Sequence, residues 1–364
     1  MSTITVRHWT LQEWFSSEAV WQALLARADA DALFLSWQWL TRWWTHYGDR
    51  LGLSADIMAF YRGAELVGVA PLYVRDVRRA SFVRTRSVQI IGHAWRDAVP
   101  LISEYLDVVA VPDAQQAVRD ACMSEVLQQK RWGEFVVGHT VAGAGWRDTF
   151  LRQAPPRRHY VRELDRNVSY QANLAHGFAA YLQELGQSTR RSLWHLRRRL
   201  VQESGAVQFE PLGSEEIDSG FEDLNRLHQL RWQRPAFSGE RLEFHKSFAA
   251  YLAAHGEFAF TRLRVAGNVV SVLYDIRKGA RQYNIKMGFD PALNNRLSLG
   301  LIHFGYAMEA AAERGITVYD FLAGAGRNSD FKPNLAQARR DLSCVQMLRG
   351  SVMPLLYRWR DRVR

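Results

Sequence analysis

Short stretches rich in β-branched and aromatic residues alternate with polar, breaker-rich ones along the chain, and the longest continuous series of them spans residues 258–332. Residues 258–265 and 269–277 flank Ala266-Gly267-Asn268, a tight-turn composition, and read as an antiparallel hairpin. A third strand is expected at 282–289. The polar loop 290–300 then feeds a helix from about Ser298 to Arg314, which Gly315 ends. Residues 317–322 form a short apolar strand, and residues 323–326 turn the chain towards Phe331-Lys332.

Upstream, residues 4–6 open a strand, 11–27 are helical, and 34–47 form a helix carrying Trp37, Trp39, Trp43 and Trp44. That many indoles need a domain core or an aromatic-lined cleft. Residues 57–61 and 66–74 make another hairpin, with further strands at 86–91, 105–109 and 134–138 and a helix over 114–130. Residues 178–185, 189–203, 214–232 and 243–254 are helical, and 207–210 is a strand. The first hairpin overlays the second at a constant offset, with Glu65-Leu66-Val67-Gly68-Val69 on Asn268-Val269-Val270-Ser271-Val272, as an internal duplication would leave. A linker is placed near Asp165, after a strand at 160–164, giving domains 1–165 and 166–348 and a basic tail 349–364.

Composition adds bounds. A chain of 364 residues, 48% hydrophobic, is long enough for two packed cores. Two distant cysteines without metal-ligand spacing fit a reducing compartment. The amino terminus has no apolar leader and no stretch approaches the roughly eighteen apolar residues of a membrane span, so the chain reads as cytoplasmic. A net charge of +10 asks for a polyanion: nucleic acid, anionic lipid or a phosphorylated cofactor. Arg190, Arg191, Arg197, Arg198 and Arg199 share one helix, and Arg349, Arg358, Arg360, Arg362 and Arg364 crowd the carboxyl terminus beside Trp359.

The order of elements after residue 258 resembles the acyl-CoA N-acyltransferase core of the GNAT superfamily, and more narrowly the branch named after a cellulose-biosynthesis acetyltransferase, itself similar to the FemAB peptidoglycan aminoacyl ligases. Carrying the resemblance are Ser298 and Gly300 at the helix start, Asp320-Phe321 with Gly324, and Phe331-Lys332 where the family usually has Tyr-Lys. Leu227-His228 with Arg231-Trp232, and Phe34, Ser36, Trp39, Gly68 and Pro71-Leu72, add to it. The resemblance implies an α/β (α+β) chain of two tandem GNAT-like domains, with mostly antiparallel mixed sheets flanked by helices. It implies acetyl-CoA or a longer acyl-CoA as co-substrate and no metal. A backbone N–H of the strand 269–277, at Val270 and Ser271, would bind the thioester carbonyl, and amides from Arg296 through Ser298 and Leu299 to Gly300 would hold the pyrophosphate. One glycine stands here where the superfamily's phosphate loop has two small residues, and Leu299 replaces a frequent proline.

The acceptor amine must lose a proton, and His228, Asp275, Glu257 and Asp320 are the candidate bases. His228 ranks first because Arg231 lies one turn away on the same helix face. Asp320 reads as orienting, paired with Lys332, and Lys332 is alternatively a contact for an acyl or phosphate oxygen. Phe331 removes the family's phenol, for which Tyr283 and Tyr306 are substitutes. Arg231, Trp232 and Trp39 are assigned to substrate. Gly-x-Ser-x-Gly, Walker-type and His-Glu-x-x-His patterns are absent, and His93, His139 and His159 do not converge in sequence on a metal site.

Three functions follow. The first is acyl transfer from a CoA thioester to a small amine or sugar amine, in cell-envelope or exopolysaccharide metabolism. An aminoacyl-tRNA-dependent ligase, its arginine-rich helix on RNA phosphates, is the second. The third is a non-catalytic accessory protein of polysaccharide synthesis whose basic tail touches an anionic membrane.

Overall fold

A computed structural model describes residues 4–363 except 80–82, 96–102, 130–131, 144, 156–157, 294–296 and 324–329. Arg296 and Gly324 therefore lie outside the described residues. Two compact units share the chain: Met1–Asn167 with Asp341–Arg364, and Val168–Arg340.

The first unit begins with β1 (Ile4–Trp9), α1 (Leu11–Phe15), α2 (Glu18–Leu25) and α3 (Trp37–Tyr47). Where one helix was expected over 11–27 there are two, because the Ser17 hydroxyl turns back to donate to the Trp14 carbonyl at 2.8 Å. Trp39 and Trp43 are almost fully buried in this unit's core. Next come β2 (Ser54–Arg62), β3 (Glu65–Arg79), β4 (Val83–Ile90), β5 (Val109–Ala110), α4 (Gln115–Gln128), β6 (Glu134–Val141), α5 (Trp146–Gln153) and β7 (His159–Asn173). The strand expected at 105–109 shrinks to β5, since Tyr105 takes a left-handed φ of 57° that no strand accommodates. The linker placed near Asp165 falls inside the continuous strand β7.

The second unit holds α6 (Phe178–Glu184), α7 (Gln187–Arg190), a π-helical turn at Arg191–His195, α8 (Leu196–Ser204), β8 (Val207–Pro211), α9 (Ile217–Trp232), α10 (Glu240–Ala254), β9 (Phe258–Val265), β10 (Asn268–Lys278), β11 (Arg281–Phe289), α11 (Leu299–Glu313), β12 (Val318–Asp320) and α12 (Lys332–Leu335). The π turn interrupts the helix expected over 189–203. There the Leu193 carbonyl lies so close to Gly305 of α11 that a Cβ on that glycine would sit 2.3 Å from it. The chain ends in β13 (Ala338–Arg349) and α13 (Val352–Val363). β13 pairs antiparallel with β6, and Met353 and Tyr357 of α13 pack with Leu348. Residues after 341 thus complete the first unit and do not form a separate tail. Leu355, Trp359 and Val363 of α13 face outward. Among the described residues no helix is long and apolar enough to cross a membrane.

Both units follow one plan. In the first, β1, β2, β3 and β4 run antiparallel in order, β4 pairs parallel with β6, and β13 closes the sheet. In the second, β8, β9, β10 and β11 run antiparallel, β11 pairs parallel with β12, and the end of β7 closes the sheet. The hairpin overlay from the sequence is reproduced in register: Arg62 faces Glu65, and Val265 faces Asn268. Each hairpin also carries a bulge at the matching residue, Val67 in one and Val270 in the other.

Candidate functional site

The second unit's site begins where its parallel pair ends. β11 pairs with β12 only through Arg281, Gln282 and Tyr283, opposite Val318, Tyr319 and Asp320. Residues 284–289 of β11 continue past the end of β12, so their backbone on that side is not used by the described ladder. The chain leaves β12 through Leu322, which has a left-handed φ of 55°. Asp320 fixes that turn, accepting from the Leu322 N–H at 2.9 Å, Gln171 Nε2 at 2.9 Å, Arg281 Nη1 at 3.1 Å and Ser169 Oγ at 3.3 Å. The Lys332 ammonium donates to the carbonyls of Phe321, Leu322 and Ala323 at 2.8, 2.9 and 3.0 Å. Asp320 and Lys332 are thus two clamps on one strained turn. With its ammonium spent on three carbonyls, Lys332 is a poor contact for an acyl or phosphate oxygen.

The sequence reading placed the opening one strand too early. Val270 and Ser271 sit in β10, between β9 and β11 and paired away from the open edge, both buried. Ser271 donates to the Gly288 carbonyl and accepts from His303 Nδ1 at 2.8 Å, while His303 Nε2 accepts from Thr261 Oγ1 at 3.0 Å. Burial pushes His303 down to about 3, so this imidazole is a neutral cross-brace under α11. Tyr283 is buried in β11, in register with Asp320 of β12.

α11 starts beside the open end of β11. Its N-cap, Ser298, is exposed and makes no side-chain cap hydrogen bond, so among the described residues the first-turn amides lack a side-chain cap. Leu299 is buried. A Cβ on Gly300 would stand 3.0 Å from Met287 Cε and 3.3 Å from Phe289, the last residue of β11. The guanidinium of Arg231 lies 4.4 Å from the Phe289 ring and 4.8 Å from that of Trp232, itself partly exposed. Arg231, Phe289 and Gly300 therefore form one continuous patch at the mouth of the helix. Trp39 belongs elsewhere: it is buried in the first unit, its Nε1 donating to Ser103 Oγ at 2.8 Å, and is a packing residue.

His228 sits on α9, its backbone against Gly288 of β11. Nδ1 donates to the Arg234 carbonyl at 2.7 Å, which leaves the lone pair on Nε2. Burial holds the imidazole below its usual range, and Lys286 and Arg234 push the same way, so it is neutral near pH 7. Lys286 is itself lowered, first by burial and then by Arg241 and Arg234. Asp275 projects from the other face of β10 from Tyr274, which packs on Phe221 and His245. Its carboxylate accepts from Tyr319 at 2.5 Å, Asn284 at 2.7 Å and Gln282 at 2.8 Å, and burial still raises it to about 6. Those three donors make Asp275 a buried anchor. A cavity of about 150 Å³ lies towards the other end of α11, lined by Phe260, Arg277, Gln282, Ala311 and Arg314. It sits where the helix dipole repels anions.

Of the arginine-rich stretch, Arg190 donates to the carbonyls of Gln183 and Leu185, Arg197 stacks on Trp194, and Arg199 pairs with Glu203. Three of its five guanidinium groups are engaged within the chain.

The second unit has a GNAT-like fold. Residues 187–332 match the acetyltransferase (GNAT) domain family. No curated protein sequence matches the chain. Among solved structures the chain is similar to FemX, at a TM-score of 0.60 and 11% identity over 93% of this chain and 96% of that one. It is also similar to the C-terminal domain of a putative lysylphosphatidylglycerol synthetase from Agrobacterium fabrum (TM-score 0.53, 10% identity, 97% of each chain). A tandem GNAT protein from the clavulanic acid biosynthesis pathway matches over 94% of this chain and 98% of its own (TM-score 0.50, 8% identity). Identities this low speak for the fold: the chain has the architecture of a tandem GNAT protein.

Proposed function

We propose that the second unit is an N-acyltransferase that moves an acyl group from a CoA thioester to a small amine or sugar amine. The observation that carries the reading is the open edge of β11 at residues 284–289 beside the α11 N-terminus, which among the described residues lacks a side-chain cap, with Arg231 across Phe289. An anionic pyrophosphate fits that donor set: first-turn amides, the positive end of a helix dipole and one guanidinium. Gly300 keeps the backbone approachable there. When bound, the thioester supplies an activated carbonyl and a thiolate leaving group.

The chain's own residues then have separate tasks. A backbone N–H on the open edge of β11 would donate to the carbonyl oxygen as negative charge develops on it. Nε2 of His228, neutral and carrying its lone pair, would take the proton that the attacking amine loses as the N–C bond forms and the C–S bond breaks. Trp232 and Arg231 would line the acceptor side. A setting in cell-envelope or exopolysaccharide metabolism is consistent with an amino-sugar acceptor. The ties that hold Arg190, Arg197 and Arg199 within the chain favour this reading over one that needs the same helix to grip tRNA.

The test is thiol release from acetyl-CoA and longer thioesters in the presence of a panel of amines and amino sugars. Release that depends on the amine, and that falls on the order of 100-fold in His228→Gln at an unchanged melting temperature, is the expected result. No amine-dependent release from any thioester would overturn it.

A further inference from the structure

The first unit repeats the second unit's plan, yet the mouth of its parallel pair is furnished differently. β4 and β6 pair only through Ser87, Val88 and Gln89 opposite Glu134, Phe135 and Val136, after which the strands separate. His93 follows the end of β4, and His139 lies near the end of β6. β13 lies on the far side of β6, and there the ladder slips: Ser343 faces Thr140 and Val345 faces Val137, so Cys344 alone stands opposite Gly138 and His139. Such bulges re-aim side chains. His139 takes a left-handed φ of 47° at this point, and its backbone N–H donates to Cys344 Sγ at 3.2 Å.

The ligand atoms of His93, His139 and Cys344 all lie within 4.8 Å of one another. His93 is 93% buried, and its Nδ1 has no hydrogen-bond partner among the described residues. A buried nitrogen left without a partner costs about 1–3 kcal/mol unless something else engages it. Its ring lies close against Gly138, where an added Cβ would fall 2.3 Å from it, so the residue type at 138 is part of the arrangement. The Tyr73 hydroxyl holds the His93 carbonyl at 2.7 Å, fixing the backbone that carries the ring. His159 stays outside the group, its Nδ1 on the Pro155 carbonyl. The three residues are scattered through the chain, which is why sequence spacing gave no metal motif.

We propose that the first unit binds a zinc ion through His93, His139 and Cys344, at the place in the fold where the second unit has its transferase opening. Two imidazoles and a thiolate are the nitrogen and sulfur donors that zinc prefers to magnesium or calcium. Zinc bonds of about 2.0–2.3 Å set ligand atoms roughly 3.5 Å apart in a tetrahedron, a contraction that side-chain rotation can supply. The thiol gives up its proton to solvent as the sulfur–metal bond forms. The fourth position falls to water or an exogenous ligand, reached past the half-buried His139. Bound there, the ion ties the β4 turn, β6 and β13 together, three segments that the unfolded chain keeps far apart.

The test uses the full-length protein. Wild type should take up one equivalent of zinc, and its cobalt(II) form should show thiolate-to-metal charge-transfer absorption. Zinc should raise its melting temperature. Cys344→Ser should lose the absorption and weaken binding at least 100-fold, His139→Gln should weaken it comparably while keeping a folded protein, and Cys122→Ser should bind as wild type does. Absence of stoichiometric binding by wild type, or wild-type affinity in Cys344→Ser or His139→Gln, would overturn the site.

Discussion

At the scale of single residues, protonation separates the groups that act from those that brace. His228 is neutral near pH 7 because burial lowers it, so activity that needs its Nε2 lone pair should persist at neutrality and fall only below its ordinary value of 6.5. A pH profile of kcat/KM with that acid limb, absent in His228→Gln, would check it. Asp275 titrates the other way. With a folded value of about 6 against an ordinary 3.8, the folded protein keeps this proton between those values while the unfolded chain has lost it. Stability from this group therefore rises as pH falls through that window, by about 1.4 kcal/mol between pH 7 and pH 5. Denaturation of wild type against Asp275→Asn at the two pH values should show that gain in wild type alone. Lys332→Met removes one buried cation from three carbonyls and should cost roughly 3 kcal/mol, read as a lowered denaturation midpoint. The residue types at 275, 320 and 332 were legible as chemistry in the sequence. Asp320 was read as structural or orienting, but the bracing roles of Asp275 and Lys332 were not legible, because Tyr319 and the carbonyls after β12 reach them only through tertiary pairing.

Single elements carry the argument about binding. The hairpin 258–277, the strand 282–289 and the helix after it were readable from turn residues and apolar runs, and the structure has them at β9, β10, β11 and α11. The sequence did not show that β11 is the strand with the parallel neighbour, since local patterning does not distinguish parallel from antiparallel partners for a buried strand. That one missing fact moved the expected oxyanion donor from β11 to Val270 and Ser271. Arg231 was assigned to substrate on the helix motif it shares with His228, and in the structure its guanidinium lies over Phe289, at the mouth of α11. Gly300→Val should push Phe289 and Met287 aside and weaken acyl-CoA binding at least tenfold, whereas Gly300→Ala should be absorbed largely by the flexible Met287 side chain. Binding isotherms of the two variants, with their melting temperatures, distinguish a blocked helix mouth from a general loss of packing.

At the scale of the whole molecule, the constant-offset hairpin overlay was a thin signal in the sequence, and the matched bulges at Val67 and Val270 give it a structural basis. The border placed near Asp165 lies within β7, close to the division after Asn167, while nothing in the sequence position of β13 hints that it pairs with β6. A chain ending at Arg340 should therefore lose the first unit. Removal of β13 uncovers the β6 edge and the side of the core filled by Leu342, Val345 and Met347, and a lost unfolding transition in calorimetry is the expected readout. Titration calorimetry of acetyl-CoA and longer acyl-CoA thioesters into the full-length protein and its Arg231→Gln variant tests the donor site of the second unit. Saturable micromolar binding to wild type, weakened about tenfold, near 1.4 kcal/mol, in the variant, is the expected result. Absence of binding to any thioester, or equal affinity in both proteins, would contradict the placement of the donor site at the mouth of α11.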